Sequence, residues 1–321
     1  MASPEKDTPS EPWKVRLVGT GTADERVLCG VAFSTSISLD QADGLLSFYG
    51  ASPELLQFKG PKAWYTDEPL SLSHFRTGLA RTLLLSLDQS EWLHHTNINP
   101  FYRVPSPTHG GELTITRPAT RSTKAVAVVT NFGGRAWWLF KGPRLRNRFI
   151  LHPDVDLYGD PKGWSRFRRW PWSKAGVPAN YKGPTDCQLW EDSQVAFLSG
   201  YKVAICLENT VDQPNYFTEK FVNAVRAGCI PVFYAHPTIR SSMLQGARWI
   251  DPADYGFDCQ RTINTALAAD SQAFQEANDA WLQTAKVADT HRDKVWERIA
   301  DIMRLKLETQ LPAKKLIPVR Q

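Results

Sequence analysis

The sequence predicts an α/β fold with two domains, and three patterns carry this prediction. Short apolar runs alternate with polar and helical stretches along the 321-residue chain, as expected when helices connect the strands of a sheet. Residues 201–234 contain one complete strand–helix–strand unit. Residues 104–123 are rich in Pro, Gly and Thr and lack helical periodicity, which predicts a linker between the two domains.

The first domain is predicted to span residues 13–103. Residues 1–12 precede it and consist mainly of Pro, Ser and charged residues, a composition that predicts a disordered lead-in. The expected strands are the apolar runs at residues 15–18, 27–33, 63–65 and 83–87.

The second domain is predicted to span residues 124–275, and its expected strands are apolar runs bounded by polar residues. These runs lie at residues 125–129 and 203–207, with a further run after Gly228.

A C-terminal helix and tail are predicted over residues 276–321, because residues 270–309 show helical periodicity. Two apolar stripes carry this pattern: Trp281, Ala285 and Ala288, then Val295, Ile299 and Ile302. Core packing explains such stripes best. A basic amphipathic contact with a membrane surface is the alternative, supported by Lys314 and Lys315.

Bulk composition excludes several classes of protein. The formal charge of +5 is modest; it suits phosphate-bearing ligands and does not by itself indicate nucleic acid. The five cysteines are odd in number and lack metal-site spacing, so neither a disulfide framework nor a zinc site is predicted. No apolar run is long enough to span a bilayer, and the N-terminus lacks a signal-peptide pattern.

The segment 201–234 carries the strongest functional pattern. Its apolar run ends at Glu208 and Asn209, and a helix is predicted to begin at Thr218 and to end before Gly228. The polar residues therefore fall at the carboxyl end of a strand and the amino end of the next helix, which is where α/β sheets bind ligands.

Lys220 is unusual because a cation in the first helical turn opposes the helix dipole. An anion bound at the helix start would explain it, held by backbone N–H groups and the ammonium together. A solvated surface lysine is the alternative. The clustering of Lys220 with Glu208, Asn209, Tyr216 and Glu219 favours a ligand.

The same segment resembles the α-1,3-fucosyltransferase family (glycosyltransferase family 10). The family pattern is a strand followed by Phe-Glu-Asn-Ser, Asp-Tyr-x-Thr-Glu-Lys, Asn-Ala and Ala-Gly-x-Val-Pro-Val. The chain matches it over residues 207–210, 215–220, 223–224 and 227–232. It departs at Leu207, Thr210, Asn215 and Ala235, where the family has Phe, Ser, Asp and Gly.

This resemblance implies a GT-B architecture, in which two Rossmann-like domains face each other across a cleft and the C-terminal domain binds the donor. It also implies an inverting fucosyltransferase that moves L-fucose from GDP-fucose to a hydroxyl of a GlcNAc- or glucose-containing glycan, in an α-1,3-type linkage. No tightly bound cofactor or catalytic metal is expected, and the expected effect of divalent cations is limited to stimulating turnover.

The resemblance also assigns donor-site roles. Glu219 and Asn209 are expected to hold fucose or ribose hydroxyls, and Tyr216 and Glu208 to belong to the same donor site. Lys220 is expected to contact the diphosphate. Thr130 and Asn131 match a Thr-Asn that lies near the nucleotide in the family.

A second cation is expected upstream, before the segment 155–159 that resembles the family's Val-Asp-x-Tyr-Gly strand. Counting back from Leu151, Arg144 occupies the place of the family's diphosphate-binding arginine, and an arginine fork suits two phosphate oxygens. A shift of register would exchange Arg144 for Arg146. Otherwise Arg146 and Arg148 are expected to be solvated helix residues.

The catalytic base is expected in the first domain, where the family uses a glutamate near Tyr-Thr-Gly-Glu-Asn-Glu-Ser-Pro. The counterpart here is residues 64–69, which are shorter. Glu68, next to the proline, is the predicted base and Asp67 the alternative; both also suit a turn.

Other polar patterns lead to weaker predictions. His94 and His95 are adjacent and would point apart. Asp154 and Asp156 imitate a DxD metal motif, but Asp156 lies on a predicted strand, which favours a structural role. The aromatic and basic residues 162–174 suit loop packing or acceptor contact better than nucleic acid, because no nucleic-acid module surrounds them.

Two alternatives to fucosyl transfer remain at the level of sequence. One is a GT-B glycosyltransferase that uses another nucleotide sugar, and the other is an inactive homologue that binds nucleotide or glycan. Without an anchor, a cytoplasmic enzyme is expected; a truncated Golgi protein would have the same sequence features.

Overall fold

In the computed structural model the chain divides into two compact units, Met1–His95 with Asp293–Gln321, and Thr96–Arg292. The structure describes residues 11–19, 25–48, 53–66, 92–94, 118, 120–129, 141–159, 178–185, 192–212, 216–288 and 292–311. Several predictions lie outside these residues, namely the lead-in up to residue 10, the strand at 83–87, most of the linker and the patch at 162–174.

The first unit contains a sheet built from short strands. They are β1 (Trp13–Gly19), β2 (Arg26–Leu28), β3 (Val31–Ser34), β4 (Gly44–Phe48), β5 (Lys62–Thr66) and β6 (Trp92–His94). Their order is β2-β3-β1-β4-β5-β6, and every pairing is parallel except β2 with β3. Helix α1 (Pro53–Gln57) lies between β4 and β5 in the chain.

The run 27–33, predicted as one strand, is instead a tight hairpin of β2 and β3. Leu28 pairs with Val31, and the two residues between them, Cys29 and Gly30, have φ angles of 50° and 76°. Two positive φ angles define a type I′ turn, whose twist suits antiparallel strands. The sequence gives no sign of this turn, because the cysteine at its first central position looks like part of a continuous apolar run.

Replacing Cys29 with Asn is expected to stabilise the protein by about 1 kcal/mol, because Asn tolerates the left-handed region better than other L-residues. The shift of the urea unfolding midpoint measures this effect. Cys29→Ala is the matched control, since alanine, like cysteine, is strained at a positive φ angle. An Asn variant no more stable than the Ala variant would contradict the prediction.

The second unit contains an all-parallel sheet in the order β11-β10-β7-β8-β9. Its strands are β7 (Ser122–Val129), β8 (Val155–Gly159), β9 (Tyr181–Gly183), β10 (Tyr201–Ile205) and β11 (Ile230–Val232). The strands predicted at 125–129 and 155–159 are thus confirmed, and the run predicted at 203–207 forms β10, which begins at Tyr201 and ends at Ile205. The predicted linker reached residue 123, whereas β7 already begins at Ser122.

Helices connect these strands and also follow the last of them. They are α2 (Lys141–Ile150), α3 (Asp192–Leu198), α4 (Glu219–Arg226), α5 (Pro237–Ser241), α6 (Cys259–Ala268), α7 (Ser271–Leu282) and α8 (Ala285–Ala288), with a 3-10 turn at Pro252–Tyr255. The helix predicted between Thr218 and Gly228 is α4, and Gly228 has a φ of 69°, as a residue just beyond a helix end requires. Together the two sheets confirm the predicted α/β fold class.

The C-terminal stripes differ from their prediction. Helix α7 ends at Leu282, so Ala285 and Ala288 lie on the separate helix α8 and are exposed, while Val287 is buried. The break shifts the register, so the predicted stripe does not continue from Trp281.

The last helix, α9 (Arg292–Gln310), packs with the first unit from Asp293 onward. Its buried side chains include Val295, Ile299, Met303 and Leu307, which follow i+4 steps. The predicted Ile302 is 42% exposed instead, because Met303 continues that spacing. Within the described residues, no helix has the length and apolarity needed to cross a membrane.

The division of the chain thus differs from the predicted C-terminal boundary. The prediction separated residues 276–321 from the second domain, whereas the second compact unit extends to Arg292 and contains α7 and α8. The tertiary packing of α9 explains why the boundary between the units falls at Arg292. On α9, Trp296 contacts Phe33 of β3, with ring centroids 5.5 Å apart.

Candidate functional site

The topology of the second unit indicates where a ligand would bind. Strand β7 lies inside the sheet with β8 on one side and β10 on the other, so the chain reverses its direction of travel between β7 and β10. Ligands of open α/β sheets bind outside the carboxyl ends of the strands at such a switch point. Glu208 and Asn209 follow β10 at this edge.

The sheet holds this edge firmly, because the ladder continues beyond the end of β10. The amide of Cys206 donates to the Val232 carbonyl at 3.0 Å, and the amide of Glu208 donates to the Tyr234 carbonyl at 3.2 Å. The backbone of Glu208 is therefore fixed against its neighbouring strand.

The side chain of Glu208 joins β10 to the start of α4. Its Oε1 accepts the Thr218 amide at 2.6 Å, and its Oε2 accepts the Thr218 hydroxyl at 2.9 Å. The Lys220 ammonium donates to the same hydroxyl at 2.9 Å and lies 3.5 Å from Glu208 Oε2. Glu208 is fully buried, whereas 24% of the Lys220 side chain is exposed.

Burial sets the electrostatics of this cluster. It raises the pKa of Glu208 above its usual value, while the Lys220 charge and the hydrogen bonds from Thr218 act in the opposite direction. A buried carboxylate is costly unless it is paired and hydrogen-bonded, and here one cation and one residue with two donors satisfy it.

A second cation reaches the same edge from α2, and it is Arg146. Arg146 is only 8% exposed and its Nη1 donates to the Oδ1 of Asn209. Burial lowers its pKa to about 10, with Tyr216 and Glu208 opposing that shift, so the guanidinium stays charged at neutral pH.

The expectation that Arg146 is a solvated helix residue is therefore wrong. The buried residues of α2 include Leu145, Arg146, Phe149 and Ile150, which is an i, i+1, i+4, i+5 pattern, so Arg146 occupies the core-facing side. This apolar periodicity was the signal that the sequence contained. Arg144 and Arg148 are exposed; the diphosphate role predicted for Arg144 stays a prediction.

A glycine that the sequence analysis did not consider brings α2 close to this edge. A Cβ on Gly142 would lie 2.6 Å from the carbonyl oxygen of Asn209 and 3.1 Å from the Cα of Thr210. The first turn of α2 therefore lies directly against the backbone of residues 209–210. The starts of α2 and α4 flank the same segment, and each carries the partial positive charge of a helix amino end.

The other predicted donor residues are placed as follows. Tyr216 is buried, and Glu219 is half-buried in the first turn of α4. Thr130, Asn131, Asp67 and Glu68 lie outside the described residues, so their roles stay predictions. The structure thus brings Glu208, Asn209, Thr218, Lys220 and Arg146 into one cluster.

The DxD-like residues have other partners. Asp156 lies on β8, and its Oδ1 is 3.7 Å from the Lys182 ammonium and 3.9 Å from that of Lys124. The Tyr201 hydroxyl donates to its Oδ2 at 3.4 Å. In the part of the chain that the structure describes, His, Cys, Asp and Glu side chains form no group of three or more suited to a metal ion.

Comparison with known proteins gives the fold. No family model matches the chain, and no curated protein matches it. Among solved structures, a crystal structure of an α1,3-fucosyltransferase is 14% identical in sequence, with a TM-score of 0.50, over 94% of this chain and 93% of that chain. A crystal structure of an α1,3-fucosyltransferase with GDP is 13% identical, with a TM-score of 0.48, over 95% of this chain and 92% of that chain.

A UDP-forming α,α-trehalose-phosphate synthase from Burkholderia xenovorans is 11% identical, with a TM-score of 0.49, over 85% of this chain and 76% of that chain. The fold assignment rests on the first of these three structures, whose TM-score is the highest. The chain has the mixed α/β fold of GT-B glycosyltransferases, with a mainly or wholly parallel sheet in each of its units.

Proposed function

We propose that the protein is an inverting glycosyltransferase that transfers L-fucose from GDP-fucose to a hydroxyl of a GlcNAc- or glucose-containing glycan, in an α-1,3-type linkage. The observation that carries the proposal is the pair of cations, Lys220 and Arg146, at the switch point of the second sheet. Such a pair of cations suits a diphosphate, which is the leaving group in sugar transfer from a nucleotide sugar.

A diphosphate fits this arrangement. Lys220 belongs to the first turn of α4, and α2 begins against residues 209–210, so two helix amino ends and two side-chain cations serve one edge. Helix amino ends bind phosphates through their free N–H groups and dipole, and an arginine fork adds geometric specificity. One phosphate would engage only part of this set.

Cations at the carboxyl end of β10 assist the chemistry of sugar transfer. The acceptor oxygen attacks the anomeric carbon as the bond from that carbon to the diphosphate breaks, and the acceptor's proton passes to a carboxylate base. Negative charge develops on the departing GDP, where Lys220 and Arg146 stabilise it. Attack from the face opposite the leaving group inverts the anomeric configuration.

The nucleotide and sugar follow from the motif resemblance over residues 207–232. On that basis Tyr216, Glu219, Thr130 and Asn131 belong to the donor site. Glu68 serves as base, with Asp67 as the alternative. Arg146 takes the second-cation role beside or in place of Arg144, because it is the arginine bonded to Asn209.

A donor panel tests this function. The purified full chain is incubated with GDP-fucose, GDP-mannose, UDP-glucose or UDP-galactose and a glycan array, and nucleotide release and sugar incorporation are measured. We expect release of GDP from GDP-fucose, with fucose on GlcNAc- or glucose-containing glycans.

Each other result selects an alternative. Transfer from a different donor would mean that the protein is a GT-B glycosyltransferase that uses that donor's sugar instead of fucose. GDP binding without transfer and without hydrolysis of GDP-fucose would indicate an inactive homologue. Repeating the panel with and without Mg²⁺ measures the expected modest stimulation by divalent cations.

A further inference from the structure

We infer that Glu208 is a positioning residue that sets the Lys220 ammonium for a diphosphate and does not itself bind the donor's sugar or ribose. This inference rests on the proposed function, and it differs from the role that the motif resemblance assigned to Glu208. It concerns which of the polar residues at the β10 edge are available to a ligand.

Both carboxylate oxygens of Glu208 already accept hydrogen bonds. Oε1 accepts the Thr218 amide at 2.6 Å, Oε2 accepts the Thr218 hydroxyl at 2.9 Å, and the side chain is fully buried. Because no part of the Glu208 side chain is accessible, a sugar hydroxyl could reach either oxygen only if the structure around Glu208 moved.

The cluster of Glu208, Thr218 and Lys220 exposes its lysine and buries its carboxylate. From Glu208 the contacts pass through the Thr218 hydroxyl to the Lys220 ammonium, which lies 2.9 Å from that hydroxyl. Lys220 is the exposed member of the three: 24% of its side chain is accessible, against none for Glu208. The buried carboxylate thus orients an accessible cation, as an outer partner orients the group that touches the ligand.

The residue after Glu208 also contacts a cation. Asn209 accepts a hydrogen bond from Arg146, which comes from a different helix. Two consecutive residues at the end of β10 therefore hold two cations, one from α4 and one from α2. The backbone of Glu208, whose side chain contacts Lys220, is itself held against the neighbouring strand by its bond to Tyr234.

The test is a double-mutant cycle read with ligands that differ by one part. Affinities for guanosine, inorganic pyrophosphate, GDP and GDP-fucose are measured by calorimetry for the wild type, Glu208→Gln, Lys220→Ala and the double variant. Asp212→Asn is the matched control, because it removes one exposed carboxylate from the same loop. It is expected to bind like the wild type.

We expect Glu208→Gln to weaken GDP and GDP-fucose by the same factor, about tenfold to a hundredfold, as for the loss of one charge-assisted hydrogen bond. Guanosine affinity should not change, since it has no phosphate. The double variant should bind GDP about as weakly as Lys220→Ala alone, because Glu208 acts through that lysine.

Thr218→Val provides a second route if Glu208→Gln does not fold. It removes the hydroxyl that joins the carboxylate to the ammonium and preserves the backbone amide bond. The same loss for phosphate-bearing ligands is expected, without loss for guanosine.

The inference would be overturned by a Glu208→Gln or Thr218→Val defect for GDP-fucose that is absent for GDP, or by losses that multiply in the double variant. A wild type that binds neither GDP nor pyrophosphate would also overturn it. If the wild type bound GDP but transferred no sugar, the proposed function would be wrong. The GDP affinities of the variants would then still test this inference.

Discussion

Replacing Phe221 with alanine is expected to lower the free energy of unfolding by about 3–5 kcal/mol, the range for a large aromatic side chain removed from a core. Phe221 is completely buried within a cluster of rings. Its centroid lies 5.0 Å from that of Phe233, 5.2 Å from Trp281 and 5.9 Å from Phe217. Truncation would leave a cavity that these rigid rings cannot close.

Urea denaturation followed by circular dichroism measures this loss. Phe221→Leu is the graded control, which retains most of the volume and should cost markedly less. Leu305→Ala is the exposure control, because Leu305 is 63% exposed and its truncation should have little effect. Equal losses for Phe221→Ala and Leu305→Ala would contradict the assigned core.

The consequence for function is direct, because Phe221 follows Lys220 in α4. Its packing fixes the first turn of the helix that carries the lysine. A destabilised Phe221→Ala protein should therefore also bind GDP more weakly at temperatures where it remains folded.

Replacing Lys220 with alanine is expected to lower kcat by about 10²–10³-fold, the range for losing one preorganised donor to charge that develops in a transition state. In the neutral variant, only Arg146 of the two proposed cations would remain to stabilise the departing diphosphate. Steady-state kinetics with GDP-fucose and the best acceptor from the array measures the change. Calorimetry with GDP measures the accompanying loss of affinity.

Lys182→Ala is the matched control for this variant. Lys182 belongs to the same unit, is about half exposed and pairs with Asp156 at 3.7 Å, on a strand remote in sequence from the cluster. Its removal should leave kcat unchanged. If Lys220→Ala retained wild-type turnover and GDP affinity, the donor site would have to lie elsewhere.

The unit from β10 to β11 was predictable because its signals are local. An uninterrupted apolar run indicates a buried parallel strand, and the spacing of Phe221, Val222 and Val225 indicates a helix. Gly228 marks its end. Each signal depends on neighbours within a few positions, so a single sequence contains enough information.

The hairpin of β2 and β3 and the stripe on α9 were not predictable in this way. Cys29 is a rare residue for a positive φ, so it gives no turn signal. On α9, Ile302 and Met303 are both apolar, and only packing against the first unit buries Met303 and leaves Ile302 exposed. Periodicity alone does not distinguish adjacent apolar residues at the edge of a stripe.

The sequence by itself determined the α/β class and the strand–helix–strand unit, and it predicted an anion beside Lys220. Tertiary structure decided which partners the charged residues have. It buried Arg146 instead of Arg144, brought Gly142 against Asn209, and enclosed Glu208 between Thr218 and Lys220. The physical reason is that secondary structure follows from short-range periodicity, whereas the burial and pairing of a charge depend on elements that are distant in the chain.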